Sequence, residues 1–205
     1  GNLPEMMESY FGWIEGCLDD FRLNARNIFG CRGLQASVHP DAESGILFHF
    51  TRMSPHHYWT AGVGWCYMPF WEHYQVTGDK DFALTRILPA LKEIARFYED
   101  FLTEKDEAGN YIFVPSYSPE NWPGQLDQTM CAVINAVMDI AVCREVLTHL
   151  VELCEEFGVE KESLPRWQDM LTKLPPYLLD DMGALKEWAW EPLKERYDHR
   201  HLSHM

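Results

Sequence analysis

The chain has 205 residues, 46% of them hydrophobic and 14% aromatic, with a formal net charge of −15. That length suits one domain with a sizeable core, and the charge argues against DNA, RNA and anionic membranes as partners while suiting a neutral ligand. No apolar run reaches the length of a membrane span, and no basic-then-apolar leader opens the chain, which leaves its compartment open.

The pattern is helical almost throughout. Over 4–29 the apolar residues Met7, Tyr10, Phe11, Ile14, Leu18, Phe21 and Ala25 recur at three- and four-residue steps, predicting one helix or two broken near Gly16. An irregular stretch follows over 30–55, and a connection that long inside a compact domain is usually functional. A second helix is predicted over 60–76, ending at Gly78 in a left-handed cap. Asp79 then caps a third through 102, whose apolar face includes Phe82, Ile87, Leu91, Ile94, Phe97 and Phe101. Residues 107–110 read as a turn and 111–114 as a short β-like stretch. A fourth helix is expected over 126–157, long and apolar enough in its first half to be packed on several sides. A fifth spans 161–174 and stops at Pro175-Pro176.

The six cysteines show no C-x-x-C pair and no zinc-finger spacing. Cys143 and Cys154 lie roughly 16 Å apart on one predicted helix, too far to bridge, so the cysteines read as buried free thiols. The eight tryptophans exceed what a core of this size requires. Filling gaps between helices accounts for most of them, and a surplus ring is available for stacking on a ligand. Helix pairs joined by long polar-aromatic loops predict an all-α fold, an α/α toroid or helical bundle. The unusual residues sit in the loops, which places a site at one end of the helical stack.

The most distinctive loop is Pro115-Ser116-Tyr117-Ser118-Pro119-Glu120-Asn121-Trp122-Pro123. Each proline fixes its own φ and restricts the residue before it, so the segment is not helical and holds one shape. A carboxyl presented on a stiff loop among aromatic rings has the surroundings of a general acid. The plainer reading is a proline-rich surface turn with a solvated Glu.

Several segments together resemble glycoside hydrolase family 95. Tyr58-Trp59-Thr60-Ala61-Gly62-Val63-Gly64-Trp65 and Phe70-Trp71-Glu72-His73-Tyr74-Gln75-Val76-Thr77-Gly78-Asp79-Lys80 are similar to that family's aromatic, Gly-rich helix. Ser116-Tyr117-Ser118-Pro119-Glu120-Asn121 resembles its acid-bearing loop. Leu185-Lys186-Glu187-Trp188 with His199-Arg200-His201-Leu202-Ser203-His204 resembles its Q-E-W and H-R-H-x-S-H block, and Gly1-Asn2-Leu3-Pro4-Glu5 the segment after its N-Y-W-P-A. The family's T-M-D signature falls on Val137-Met138-Asp139, with Val in place of Thr. The resemblance is collinear over 1–205, read as a single domain similar to the middle of a catalytic barrel.

The resemblance implies a partial (α/α)6 toroid of helical hairpins with long functional loops and at most one short β-hairpin, and an inverting exo-α-L-fucosidase, with α-L-galactoside activity known among relatives. It implies Glu120 as general acid and sugar contacts from Arg200 and His201. One tryptophan of the pair Trp59 and Trp65 is expected to line the subsite, while Asn121 bonds either the loop or the sugar. The family's water-activating asparagines lie upstream of this chain and a helper aspartate downstream, so the isolated chain is expected to be inactive. No cofactor is implied. Three histidines within 199–204 invite a metal reading, but only Asp198 stands near them as a further ligand, and no metal is assigned. Trp71 reads as core, Glu72 and His73 as buried hydrogen-bonding groups, and His56-His57 as surface. A second functional reading is a non-catalytic carbohydrate-binding or scaffold domain. Helices too few to close a toroid leave apolar faces uncovered, which predicts self-association or a smaller bundle.

Overall fold

The structure is a computed structural model that describes residues 4–41, 43–47, 55–126 and 131–197. Its helices are α1 (Glu8–Gly16), α2 (Leu18–Asn24), α3 (Gly62–Thr77), α4 (Lys80–Phe82), α5 (Leu88–Phe101), α6 (Val137–Phe157) and α7 (Leu164–Thr172). A 3-10 turn precedes α1, and wider π-type turns extend α2 over Ala25–Phe29 and join α4 to α5 over Ala83–Ile87. Extended backbone is paired only through isolated antiparallel bridges among the described residues. The fold is the expected all-α arrangement of helical hairpins with long loops, and no helix of the described residues is long and apolar enough to cross a membrane.

Local chemistry explains the boundaries. Gly78 adopts φ 66° and closes α3, its N–H donating to Tyr74 O; that left-handed conformation suits a residue without Cβ. The Asp79 carboxylate then accepts from Phe82 N at 3.0 Å and starts the next helix. α5 buries Leu88, Leu91, Ile94, Ala95, Tyr98 and Phe101, a stripe at helical spacing. α6 buries residues around most of its circumference because it packs against α3, α5 and α7.

Aromatic rings fill the space between helices. Phe11 of α1 meets Phe70 of α3 at 4.3 Å and Phe82 of α4 at 5.3 Å. Trp71 is core, as expected, and lies flat on His149 of α6 at 3.9 Å. Burial pushes the His149 imidazole down to about 4, so this stack joins two neutral rings at neutral pH. His73 packs edge-on against Phe11, whereas Glu72 is exposed rather than buried, since its position on α3 faces outward. All six cysteines are free.

One further expectation needs correcting. The fourth helix starts at Val137, not near 126. Residues 131–136 instead run extended: Val133 and Ser116 exchange backbone hydrogen bonds at 2.7 and 2.9 Å, and Ala189 N donates to Asn135 O at 2.8 Å. Their apolar side chains look helical in sequence, but Val133 and Ala136 form a small separate cluster with Trp188. The described part of the stretch after α2 is irregular, as predicted, and a side chain of α2 bonds its backbone. The buried Asn24 amide donates to Gln35 O and Gly45 O and accepts from Leu47 N; one side chain there replaces a ladder of main-chain bonds.

α3 and α6 approach closely at Gly64, where a Cβ would run into Val142 and Val146 of α6. Gly64→Ala is therefore expected to destabilise the chain by about 1–3 kcal/mol, with part of that loss recovered by adding Val142→Ala. Urea unfolding of the two single variants and the double variant measures it; additive effects would mean that the helices do not meet there.

Candidate active site

The loop around Glu120 is built from the inside out. Asn121 N donates to Ser118 O at 2.8 Å, closing a turn with Glu120 near its apex. The Val114–Pro115 and Pro119–Glu120 peptides are cis. Ser116, Tyr117, Ser118 and Asn121 are buried, while Pro119, Glu120 and Trp122 are half-buried. Beyond the apex, Gly124 N donates to Lys194 O at 2.8 Å, and a side chain at Gly124 would strike the Glu195 carbonyl. The Arg196 guanidinium lies 3.6 Å over the Trp122 ring. The loop is thus a sheathed strip of backbone with the half-buried Glu120 near its apex.

Beneath it sit two carboxyl groups from distant parts of the chain. Asp139, in the first turn of α6, accepts from Ser116 Oγ at 2.6 Å, Tyr117 N at 3.1 Å and Ala61 N at 2.9 Å. It ties the loop to the start of α3. Burial pushes its carboxyl from 3.8 up to about 6, against the pull of these donors. Glu187 accepts from Ser118 Oγ at 2.7 Å on one oxygen and from Asn121 Nδ2 on the other. Its backbone carbonyl receives Val137 N at 2.9 Å, and its N–H donates to the Glu195 carboxylate at 2.7 Å. Burial pushes Glu187 from 4.5 up to about 7, with the Glu195 charge adding to the rise.

The aromatic side of the loop is Tyr117, wholly buried, with His56 stacked on it at 5.7 Å. His56 Nδ1 is 3.2 Å from His39 Nδ1. Burial, then the nearby Glu120 charge, raises the Tyr117 phenol well above its ordinary value. His56 is therefore not a surface residue, because the 3-10 turn His56–Tyr58 folds it under the loop.

Of the residues singled out from sequence, Glu120 and Asn121 lie together on this loop. The Asn121 side chain is engaged within it, since its Oδ1 accepts from Trp122 N at 2.9 Å. Trp59 is buried, 8% exposed, at the approach to α3, where Gln35 Nε2 donates to its carbonyl. Trp65, one turn into α3, is 54% exposed. Arg200 and His201 lie outside the described residues, as does the whole H-R-H-x-S-H block. A hollow of about 560 Å³ edged by Arg22, Arg26 and Arg32, and another of about 300 Å³ edged by Trp190 and Pro175, are not lined by Glu120. Sequence reasoning placed neither Asp139 nor Glu187 among the site residues. Their signals were present in the Met138-Asp139 signature and the Lys186-Glu187-Trp188 block, but only the fold brings both beneath one loop.

Both carboxyls hold their protons more tightly folded than unfolded, so their contribution to stability is complete below pH 4 and is lost as pH rises through about 6 to 7. Each contributes on the order of 2–3 kcal/mol of pH dependence. Unfolding free energy of the native chain, relative to an Asp139→Asn/Glu187→Gln variant, is expected to fall between pH 4 and 7. Chemical denaturation across that range checks it, and a pH-independent difference would exclude both groups as the source.

The comparisons with known proteins follow the same lines. The model of the glycosyl hydrolase family 95 catalytic domain matches residues 1–205. Alpha-L-fucosidase 2 of Arabidopsis thaliana is 28% identical over the whole chain, which spans 24% of that protein's length. An uncharacterized glycosyl hydrolase of Mycobacterium tuberculosis is 25% identical over 62% of the chain and 11% of its own length. Among solved structures, a putative kojibiose phosphorylase from the human microbiome superposes with a TM-score of 0.62 at 14% identity, covering 88% of this chain and 24% of that one, a likeness of fold. The chain accordingly adopts part of an (α/α)6 toroid, and it belongs to glycosyl hydrolase family 95, matching its catalytic domain.

Proposed function

We propose that this chain carries the proton-donating half of an inverting exo-α-L-fucosidase active site, with Glu120 as the general acid. Family membership supports a glycosidase acting on carbohydrate, and the relative named alpha-L-fucosidase 2 supports the fucosyl class. The observation that carries the reading is the placement of Glu120: one half-buried carboxyl at the apex of a loop whose neighbours Ser118 and Asn121 are buried and hydrogen-bonded. Preorganisation of this kind keeps a proton donor at a fixed distance from a glycosidic oxygen. Inversion needs a base roughly 6.5–9.5 Å away across the sugar ring, with water between. Trp59, Trp65, Arg200 and His201 belong to the same proposal as sugar contacts, and the exposed ring of Trp65 has a face to offer.

The test is hydrolysis of a terminal α-L-fucosyl oligosaccharide by the full-length protein. Glu120→Gln is expected to lower kcat by roughly 10²–10⁴-fold, the usual contribution of a general acid. Proton NMR should show the β-anomer of fucose forming first in the unaltered protein. Retained turnover in Glu120→Gln would remove Glu120 from the role, and a first-formed α-anomer would replace inversion with retention.

A further inference from the structure

We propose that Glu187 is a positioning residue for the acid: its two carboxylate oxygens hold the residues on either side of Glu120 and so set the direction in which the Glu120 carboxyl points. The inference rests on the reading of Glu120 as the acid.

The argument starts from acceptor count. Ser118 precedes Glu120 by two residues and Asn121 follows it by one. The hydroxyl of the first donates to Glu187 Oε1 at 2.7 Å, and the amide of the second donates to Glu187 Oε2. The two donors therefore reach different oxygens of one group, across the turn closed by Asn121 N to Ser118 O. A carboxylate accepts on both oxygens, whereas a carboxamide presents one acceptor and one donor. Glutamine at 187 would set its own NH2 group against one of these donors.

Glu187 comes from 66 residues further along the chain than Asn121, and its own backbone is fixed by Val137 N at the start of α6 and by the Glu195 carboxylate. Burying a carboxyl there is unfavourable for folding, as its raised proton affinity shows. Asp139, by contrast, holds Ser116 and Tyr117, at the stem of the loop rather than around its apex.

The experiment separates positioning from plain structure through the leaving group. An alcohol leaving group needs the acid's proton, whereas 4-nitrophenolate departs with far less help. In the full-length protein, Glu187→Gln is expected to lower kcat on an α-L-fucosyl disaccharide roughly tenfold to a hundredfold, while turnover of 4-nitrophenyl α-L-fucoside falls less than about threefold, since the loss is confined to acid assistance. Ser118→Ala, which removes one donor and leaves the carboxylate in place, should show the same split in smaller measure and stands in if Glu187→Gln does not fold. Hydrogen exchange of the Asn121 amide should quicken in both variants. Equal losses on the two substrates, no loss on either, or unchanged exchange at Asn121 would overturn the inference while leaving Glu120 as the acid. If the unaltered protein hydrolyses neither substrate, the fucosidase reading fails, and this inference falls with it.

Discussion

A carboxyl group taken out of water is costly unless donors meet its oxygens, and in this chain that requirement decides where three remote segments lie. Asp139 draws the loop stem and the start of α3 to the start of α6. Glu187 draws the loop apex to the segment after the last helix. Neither carboxyl can leave its place without stranding a buried partner, because Ser116, Ser118 and Asn121 are themselves sealed from solvent. The geometry around Glu120 follows from these two groups more than from the prolines that flag the loop in the sequence.

Both carboxyls are held near helix starts. Asp139 lies in the first turn of α6 and accepts from Ala61 N beside the first turn of α3. Glu187 O accepts from Val137 N, the first residue of α6. Helix N-termini carry unpaired N–H groups and a partial positive charge, so two of them pointing to one end of the stack make that end tolerant of buried negative charge. The helical scaffold thus supplies, at its loop end, donors that an all-helical interior lacks elsewhere. This is why the loops and not the helix faces hold the chemistry.

How much of this was legible in the sequence divides along contact range. The boundary at Gly78-Asp79 depends on residues a few positions apart, and the punctuation was readable. The apolar stripe of α5 is equally local. The start of α6 was not readable, because 131–136 has helical composition while its backbone answers to Ser116, Phe113 and Ala189, all distant in sequence. His56 looked like a surface residue for the same reason: the ring that covers it is Tyr117. Glu187 was marked in the sequence only as part of the Lys186-Glu187-Trp188 block, and only the fold turns it inward. The family blocks marked these places as belonging together without saying which group touches which.

That division has a consequence for reading substitutions in this chain. A residue such as Asp139 joins folding and site geometry, so its loss would loosen the loop stem and the α3–α6 junction together. Glu120 has the opposite character. It is half-buried at the apex, outside the buried set that holds the loop, so replacing it with Gln leaves the supporting bonds of Ser116, Ser118 and Asn121 in place. Stability and activity should therefore separate most cleanly at the apex and least at the stem. On the reading proposed for Glu120, the site divides into a layer that holds and a single group that reacts, and the holding layer is made of the same acidic chemistry as the group it presents.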